Sequence, residues 1–317
     1  MVERVFLAGA GNIGIRHLQG LGRYPRPLEV DIFDLNAESL GRAAEAASEF
    51  GNIVHNTASE IPSAYADIAI LATPSAGRLQ LLSDVCSHVN PQGIILEKVV
   101  FQSAADFAEA GTLLKQRGTP AWVNCPRRLW PLYRDMKSAL RDDRPFCIFF
   151  EGKSLGLACN SVHFIDLMQF LLDDDSLSLE DQKIDRIFPS RRPGFYECFG
   201  SITIMSRAGH RLILESRESS PEQNTSRFSY QGEGEGILFS ELEGVFENPG
   251  EGIALQHGRP PYQSELSGLV VEELIGSGTC ALPTFAESER SHLLLFEALE
   301  NDFRKAGLVS EHGLPIT

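Results

Sequence analysis

Two groups of residues in this chain have types and spacings that suit chemistry. The first is Gly9-Ala10-Gly11-Asn12-Ile13-Gly14, a G-x-G-x-x-G that follows the apolar run Val5–Ala8 and precedes a predicted helix over Ile15–Leu21. Glycine at 9 permits a tight turn, at 11 it lets a pyrophosphate approach the backbone, and at 14 it lets helix and strand pack closely. The first helical turn, with Asn12 and Ile13, offers unpaired N–H groups to an anion. A second predicted strand, Leu28–Phe33, ends at Asp34, twenty residues past Gly14, where a carboxylate meets an adenosine ribose. Strand, helix and acid agree, which favours a dinucleotide site over an unliganded turn.

The second group suits proton transfer. Glu97 and Lys98 stand at the carboxyl end of a predicted strand, Gly93–Leu96, the edge where such sheets bind ligands. A lysine there is poorly solvated and can serve as an acid or base; a surface lysine closing the strand has the same sequence signature. His163 lies among Val162, Phe164, Ile165 and Leu167, a setting that by itself describes a core histidine. Asp166, one turn on, is placed either to orient a ligand or to pair with His163. Arg127 and Arg128 match a carboxylate or phosphate, or else pin the crossover between domains.

The elements that must position these residues alternate strand and helix over the first 123 residues, as in a doubly wound parallel sheet. The predicted helices are Glu38–Phe50, Leu79–His88 and Ala104–Gln116; the remaining strands are Ile53–His55, Asp67–Leu71 and Ala121–Val123. Thr73-Pro74 stops the fourth strand on the ligand side. After Asn124 the pattern changes. Helices are expected at Pro131–Leu140 and Ser161–Leu172, with a strand at Cys147–Phe150. Short alternating runs from Ile184 to Phe246 make a largely antiparallel sheet. Asn248–Pro261 reads as a glycine- and proline-punctuated loop, followed by helices at Gln263–Gly276 and Thr284–Arg304. Thr284 and Glu287 form a capping box for the last helix. The expected organisation is α/β: a nucleotide-binding Rossmann domain over residues 1–123, then an α+β domain over 124–317.

Composition narrows the function. With 28 basic against 43 acidic residues, the net charge of −15 disfavours nucleic acid or an anionic membrane as a partner. An anionic ligand then needs local positive charge, for which Arg127, Arg128, Arg134, Arg191 and Arg192 are the candidates. The six cysteines are scattered with no C-x-x-C pair, which argues for reduced thiols and against a metal site. No apolar run reaches membrane-spanning length and the first strand begins at once, so a cytoplasmic protein without a signal peptide is expected.

In sequence order, the G-x-G-x-x-G, Asp34, Thr73-Pro74, Glu97-Lys98 and His163-x-x-Asp166 resemble the glucose–fructose oxidoreductase / inositol dehydrogenase (Gfo/Idh/MocA) family. Asn124 to Pro131 looks like its crossover segment, and Leu282-Pro283-Thr284 is similar to its closing pattern. The resemblance implies an NAD-dependent oxidoreductase that moves a hydride between nicotinamide and a carbon of a sugar or sugar derivative, nucleotide-linked sugars included. It implies that Lys98 and His163 handle the hydroxyl proton. It assigns Asn124, Arg128, Cys159 and Asp166 to the substrate, and Gly9, Gly11, Asn12, Ile13, Gly14, Asp34, Thr73, Pro74, Glu97 and Lys98 to the cofactor. It also implies a homodimer or homotetramer formed through the second domain.

The chain departs from the family in two places. The usual E-K-P is Glu97-Lys98-Val99, and a cis bond before a non-proline residue costs about 3–4 kcal/mol, so a trans bond is expected. Where many members carry Asp or Asn four residues before the histidine, this chain has Cys159. The resemblance keeps open a redox-assisted lyase or glycosidase with tightly bound NAD, as in some members of the family, and the two departures favour a further alternative, a non-catalytic NAD-binding regulator. Asp34, followed by Leu35-Asn36 with no arginine, points to NAD rather than NADP.

Overall fold

A computed structural model describes residues 2–140, 144–230, 237–248 and 253–317. The chain divides into two compact units, Met1–Pro126 with Pro261–Ser288, and Arg127–Pro260 with Glu289–Thr317. The single crossing expected between residues 123 and 124 thus becomes three crossings, because residues 261–288 return to the first unit.

The apolar runs of the first unit become six parallel strands, β1 (Glu3–Ala8), β2 (Leu28–Phe33), β3 (Ile53–Ala58), β4 (Ala66–Leu71), β5 (Pro91–Leu96) and β6 (Ala121–Val123). They lie in the order β3-β2-β1-β4-β5-β6. The order reverses between β1 and β4, the switch point where doubly wound sheets bind ligands. Val5–Ala8 and Ile68–Leu71 are buried on both faces, which explains why these strands read as unbroken apolar runs. The connecting helices are α1 (Asn12–Leu21), α2 (Ala37–Ser48), α3 (Arg78–His88) and α4 (Ala104–Arg117). Asn36 caps α2 by accepting from Ser39 N at 2.9 Å, and Ser103 caps α4 by accepting from Asp106 N at 3.1 Å.

The second unit begins within a 3₁₀ turn (Pro126–Leu129) and continues with α5 (Pro131–Ala139), β7 (Phe146–Glu151) and α6 (Leu157–Leu172). Seven more strands come next: β8 (Ser178–Pro189), β9 (Tyr196–Met205), β10 (Arg211–Ser216), β11 (Thr225–Tyr230), β12 (Ile237–Ser240), β13 (Val245–Asn248) and β14 (Ile253–Gln256). They form a sheet in the order β14-β13-β12-β11-β7-β10-β9-β8. Every pair is antiparallel except β7 with β10. Ile202, Ile204, Leu212 and Leu214 are buried on one face, with Phe146, Ile148 and Phe150 beside them. Helix α6 packs against β9 and β10.

Two local expectations are corrected. Within Asn248–Pro261, expected as a loop, Ile253–Gln256 pairs antiparallel with Val245–Asn248 as an edge hairpin, while residues 249–252 lie outside the described residues. Helix α6 starts at Leu157 rather than Ser161, which places Cys159 on the helix.

The chain then returns to the first unit as α7 (Gln263–Ser277), which packs on α1 through small residues. A Cβ on Gly268 would lie 2.5 Å from the Gly20 carbonyl oxygen, so only glycine permits this approach. The last helix, α8 (Phe285–Lys305), begins with the expected capping box: Thr284 N donates to Glu287 Oε2 at 2.8 Å, and Glu287 N to Thr284 Oγ1 at 3.3 Å.

In the second unit, His210 is buried and its Nδ1 accepts from Phe146 N at 3.2 Å. Burial holds its pKa below the ordinary value, against the opposing charge of Asp174. The unfolded chain therefore takes up this proton first as pH falls, and stability is present above about pH 6.5 and lost below it. Urea midpoints measured from pH 7 to 5 will fall less steeply in His210→Gln, which keeps an acceptor without a titrating ring; parallel slopes would contradict this.

Candidate active site

At the carboxyl edge of the first unit's sheet, Gly9 has a φ of +99° and Gly14 packs so closely that a Cβ there would lie 1.9 Å from the Gly9 carbonyl oxygen. At Gly11 a Cβ would meet nothing within 4 Å, so open space lies over the N-terminus of α1. No side chain caps that helix. First-turn amides facing open space, with no side chain in the way, fit a pyrophosphate. Asp34 ends β2 with Oδ2 accepting from Ala10 N at 2.7 Å and Oδ1 from Asn36 N at 2.8 Å. Its carboxylate is thereby fixed beside the glycine turn. Thr73 Oγ1, after β4, is buried with no hydrogen-bond partner among the described residues. These features fit a dinucleotide.

Glu97 and Lys98 stand directly after β5 as expected. The Glu97 carboxylate is buried and Oε1 accepts from His17 Nε2 at 2.9 Å and from Asn124 Nδ2 at 2.5 Å. Burial pushes its pKa up, but the His17 hydrogen bond and charge, the Asn124 amide and the charge of Lys98 outweigh this and leave it lowered. Ser267 Oγ lies 2.9 Å from His17 Nδ1, and Asn124 Nδ2 also donates to Gln263 Oε1 at 2.8 Å. A polar chain thus runs from α1 through Glu97 to α7. Asn124, assigned by the resemblance to substrate, is a member of this chain.

The Lys98–Val99 peptide bond is cis, which corrects the expectation of a trans bond. The carbonyls around it converge on one guanidinium: Arg78 Nη1 donates to Glu97 O and Val99 O, each at 2.6 Å, and to Val100 O at 2.8 Å. Arg78 Nη2 donates to Thr73 O. The Val99 side chain is fully buried.

In the second unit, His163 is half-buried on α6. The N-terminus of that helix is held by Glu197, whose carboxylate accepts from Ala158 N and Cys159 N at 2.9 Å each. Cys159 therefore occupies the first turn of α6. Asp166 is fully buried and pairs with Arg128, which donates from Nε at 3.0 Å to both carboxylate oxygens and brings Nη2 to 2.7 Å from Oδ1 as an ion pair. Two of the four residues that the resemblance assigned to substrate are thus partners of each other. Arg127 likewise donates from Nε to Glu241 Oε1 at 2.7 Å and stacks over Phe164. The Tyr133 hydroxyl donates to the same oxygen at 2.5 Å; burial first, and the Glu241 charge next, push its pKa well up. Arg191 and Arg192 are exposed.

No protein-family model and no curated protein matches the chain. Solved structures do. GenD2 from gentamicin A biosynthesis, in complex with NAD, is 15% identical over 96% of this chain and 95% of its own, with a TM-score of 0.69. The WlbA dehydrogenase from Bordetella pertussis, with NADH and UDP-GlcNAcA, is 16% identical over 96% and 98%, with a TM-score of 0.69. A Gfo/Idh/MocA family oxidoreductase from Vibrio cholerae is 14% identical over 96% and 99%, with a TM-score of 0.68. The chain has the Gfo/Idh/MocA fold.

Within that fold, sequence reasoning missed His17, Arg78 and Glu197. Arg78 had a usable signal: a cation in the first turn of a helix opposes the helix dipole, so it needs a compensating partner. His17, three residues past Gly14, lies on the buried face of α1, and nothing in a single sequence distinguishes it from a packing residue.

The Arg128–Asp166 pair carries a stability prediction. Asp166→Ala removes the carboxylate from a buried guanidinium and will cost about 3–5 kcal/mol, whereas Asp166→Leu with Arg128→Met will recover most of that loss. Chemical denaturation checks both; a single variant within about 1 kcal/mol of wild type, the surface-pair range, would contradict the assignment.

Proposed function

We propose that the protein is an NAD-dependent oxidoreductase that interconverts a hydroxyl and a ketone on a sugar or sugar derivative, nucleotide-linked sugars included. The observation that carries this reading is the glycine-built edge over α1, with Asp34 held beside it and Lys98 two strands away on the same edge. GenD2, crystallised with NAD, and WlbA, crystallised with NADH and UDP-GlcNAcA, support it.

In this reading Gly9, Gly11, Asn12, Ile13 and Gly14 receive the pyrophosphate, Asp34 a ribose, and Thr73, Pro74, Glu97 and Lys98 flank the nicotinamide half. NAD, when bound, supplies the hydride acceptor at C4 of its nicotinamide. Oxidation breaks the substrate C–H and O–H bonds, so a base must stand within about 3 Å of the hydroxyl oxygen. Lys98 and His163 are the residues we assign to that proton. Glu97, fixed by His17 and Asn124, holds a negative charge next to Lys98 in sequence. Cys159 is assigned to the substrate and not to the proton. Arg128 and Asp166 fix the helix that carries His163, and hold the substrate through that helix. None of the six cysteines forms a disulfide, which suits a reducing compartment, and we assign the cytoplasm.

We further propose self-association through the face of the second sheet opposite α6, where Cys147, Phe149, Thr203 and Ile213 are half-buried and Ile213 pairs with both Phe149 and Thr203. A homodimer or homotetramer covers that strip.

Three outcomes test the reading. Calorimetry will give a preference for NAD over NADP of at least about tenfold, 1.4 kcal/mol, which Asp34→Ser with Leu35→Arg narrows or reverses; equal affinities would sink the cofactor assignment. Against a panel of polyols and UDP-sugars, Lys98→Met and His163→Ala will each lower kcat about a hundredfold while NAD binding persists, and Cys159→Ala will act mildly. Tight NAD binding with no turnover on any sugar would move the protein to the regulator reading. Light scattering at micromolar concentration will give a multiple of the 34.9 kDa chain mass; a monomer would refute the proposed interface.

A further inference from the structure

Arg78 is among the largest fully buried side chains in the chain, 1% exposed, and it opens α3 where its charge opposes the helix dipole. Arginine stays protonated in proteins, so this is a permanent cation inside the first unit. Its partners explain its place. They are the backbone carbonyls of Thr73, after β4, and of Glu97, Val99 and Val100, after β5. Carbonyl dipoles solvate the cation, and the cation gathers carbonyls whose lone pairs the sheet has no further strand to receive.

Glu97 and Val99 are the chain neighbours of Lys98, and both of their carbonyl oxygens accept from the same Nη1 atom at 2.6 Å. The backbone is thereby held on either side of Lys98 by one guanidinium nitrogen, and the fully buried side chains of Val99 and Val100 anchor the next two residues. Through Nη2 the same guanidinium reaches the Thr73-Pro74 turn, so the loops after β4 and β5 are held together by one side chain. A lysine at 78 carries the charge but not the fork; a single ammonium cannot reproduce the two-ended span.

We propose that Arg78 is the positioning residue for Lys98, setting the height and direction from which that amine leaves the sheet edge. This rests on the reading of Lys98 as the proton-transfer group, and it goes beyond that reading by naming the residue on which Lys98's placement depends. The Arg78 contacts on which this rests are all to backbone carbonyls.

The test reads Lys98 directly. The full chain, at saturating NAD and without it, is treated with trace acetic anhydride, and acetylation of Lys98 is compared by peptide mass spectrometry with that of exposed Lys115 in the same molecules. In Arg78→Lys, Lys98 will be acetylated at least about fivefold faster than in wild type, as expected for a local opening, with Lys115 unchanged. In Arg78→Ala, added guanidinium ion will return the Lys98 rate toward the wild-type value. A merely structural role would lower the melting temperature and alter both lysines together. An unchanged Lys98 rate in folded Arg78→Lys overturns the proposal, as does a failure of both variants to fold even with guanidinium present. Failure of the underlying reading looks different: Lys98→Met would retain turnover while the Arg78 labelling result stood.

Discussion

Among the described glycines of the first unit, the closest approach is that of two backbones, Gly14 against the carbonyl of Gly9, where the space for a single methyl group is missing. That contact fixes the start of α1 against the end of β1. With the helix axis fixed, His17 is aimed one turn later at Glu97, and Gly20 presents the bare surface on which α7 lies. Helix α7 in turn brings Ser267 and Gln263 to the same polar chain. A steric constraint between two glycines therefore propagates to an electrostatic arrangement beside Lys98. Buried polar chains of this kind specify one arrangement because each member left unpaired costs the desolvation of a whole group.

Much of this is legible in the amino-acid sequence. A parallel strand buried on both faces must be a continuous apolar run, and Val5–Ala8 and Asp67–Leu71 could hardly be anything else. The glycine spacing and Asp34 carry their own geometry. Strand ends are less legible: β8 begins at Ser178 and mixes exposed and half-buried residues, since it is an edge strand and lacks a clean period of two. The hairpin of β13 and β14 lies at the opposite edge, where backbone pairing rather than residue pattern defines the strands. At Lys98–Val99 the sequence exposes only the local cost of a cis bond; that Arg78, twenty residues earlier, gathers the surrounding carbonyls is visible only in the fold. Arg128 and Asp166 each stand out in the sequence, but separately; which charges meet is a property of the fold.

The charge distribution sharpens what an anionic ligand would encounter. The chain is strongly acidic, and its two most suggestive arginines, Arg127 and Arg128, are neutralised by Glu241 and Asp166. At the first unit's edge an anion meets, besides Lys98, the N-terminus of α1, whose partial charge is fixed by backbone and insensitive to pH. Binding built on amide groups rather than side-chain cations is less responsive to the net charge of the protein around it.

The return of residues 261–288 to the first unit also has a meaning in time. On the ribosome, β1 through β6 emerge early, yet Ser267 beneath Gly20, the Trp122–Thr284 bridge and the Phe285 ring against Phe107 all wait for the last part of the chain. The first unit's sheet is thus synthesised first and completed late, after all eight strands of the second unit have been made. Its closing contacts join residues far apart in the sequence, the kind of long-range pairing that slows folding and leaves a nascent surface exposed while it waits.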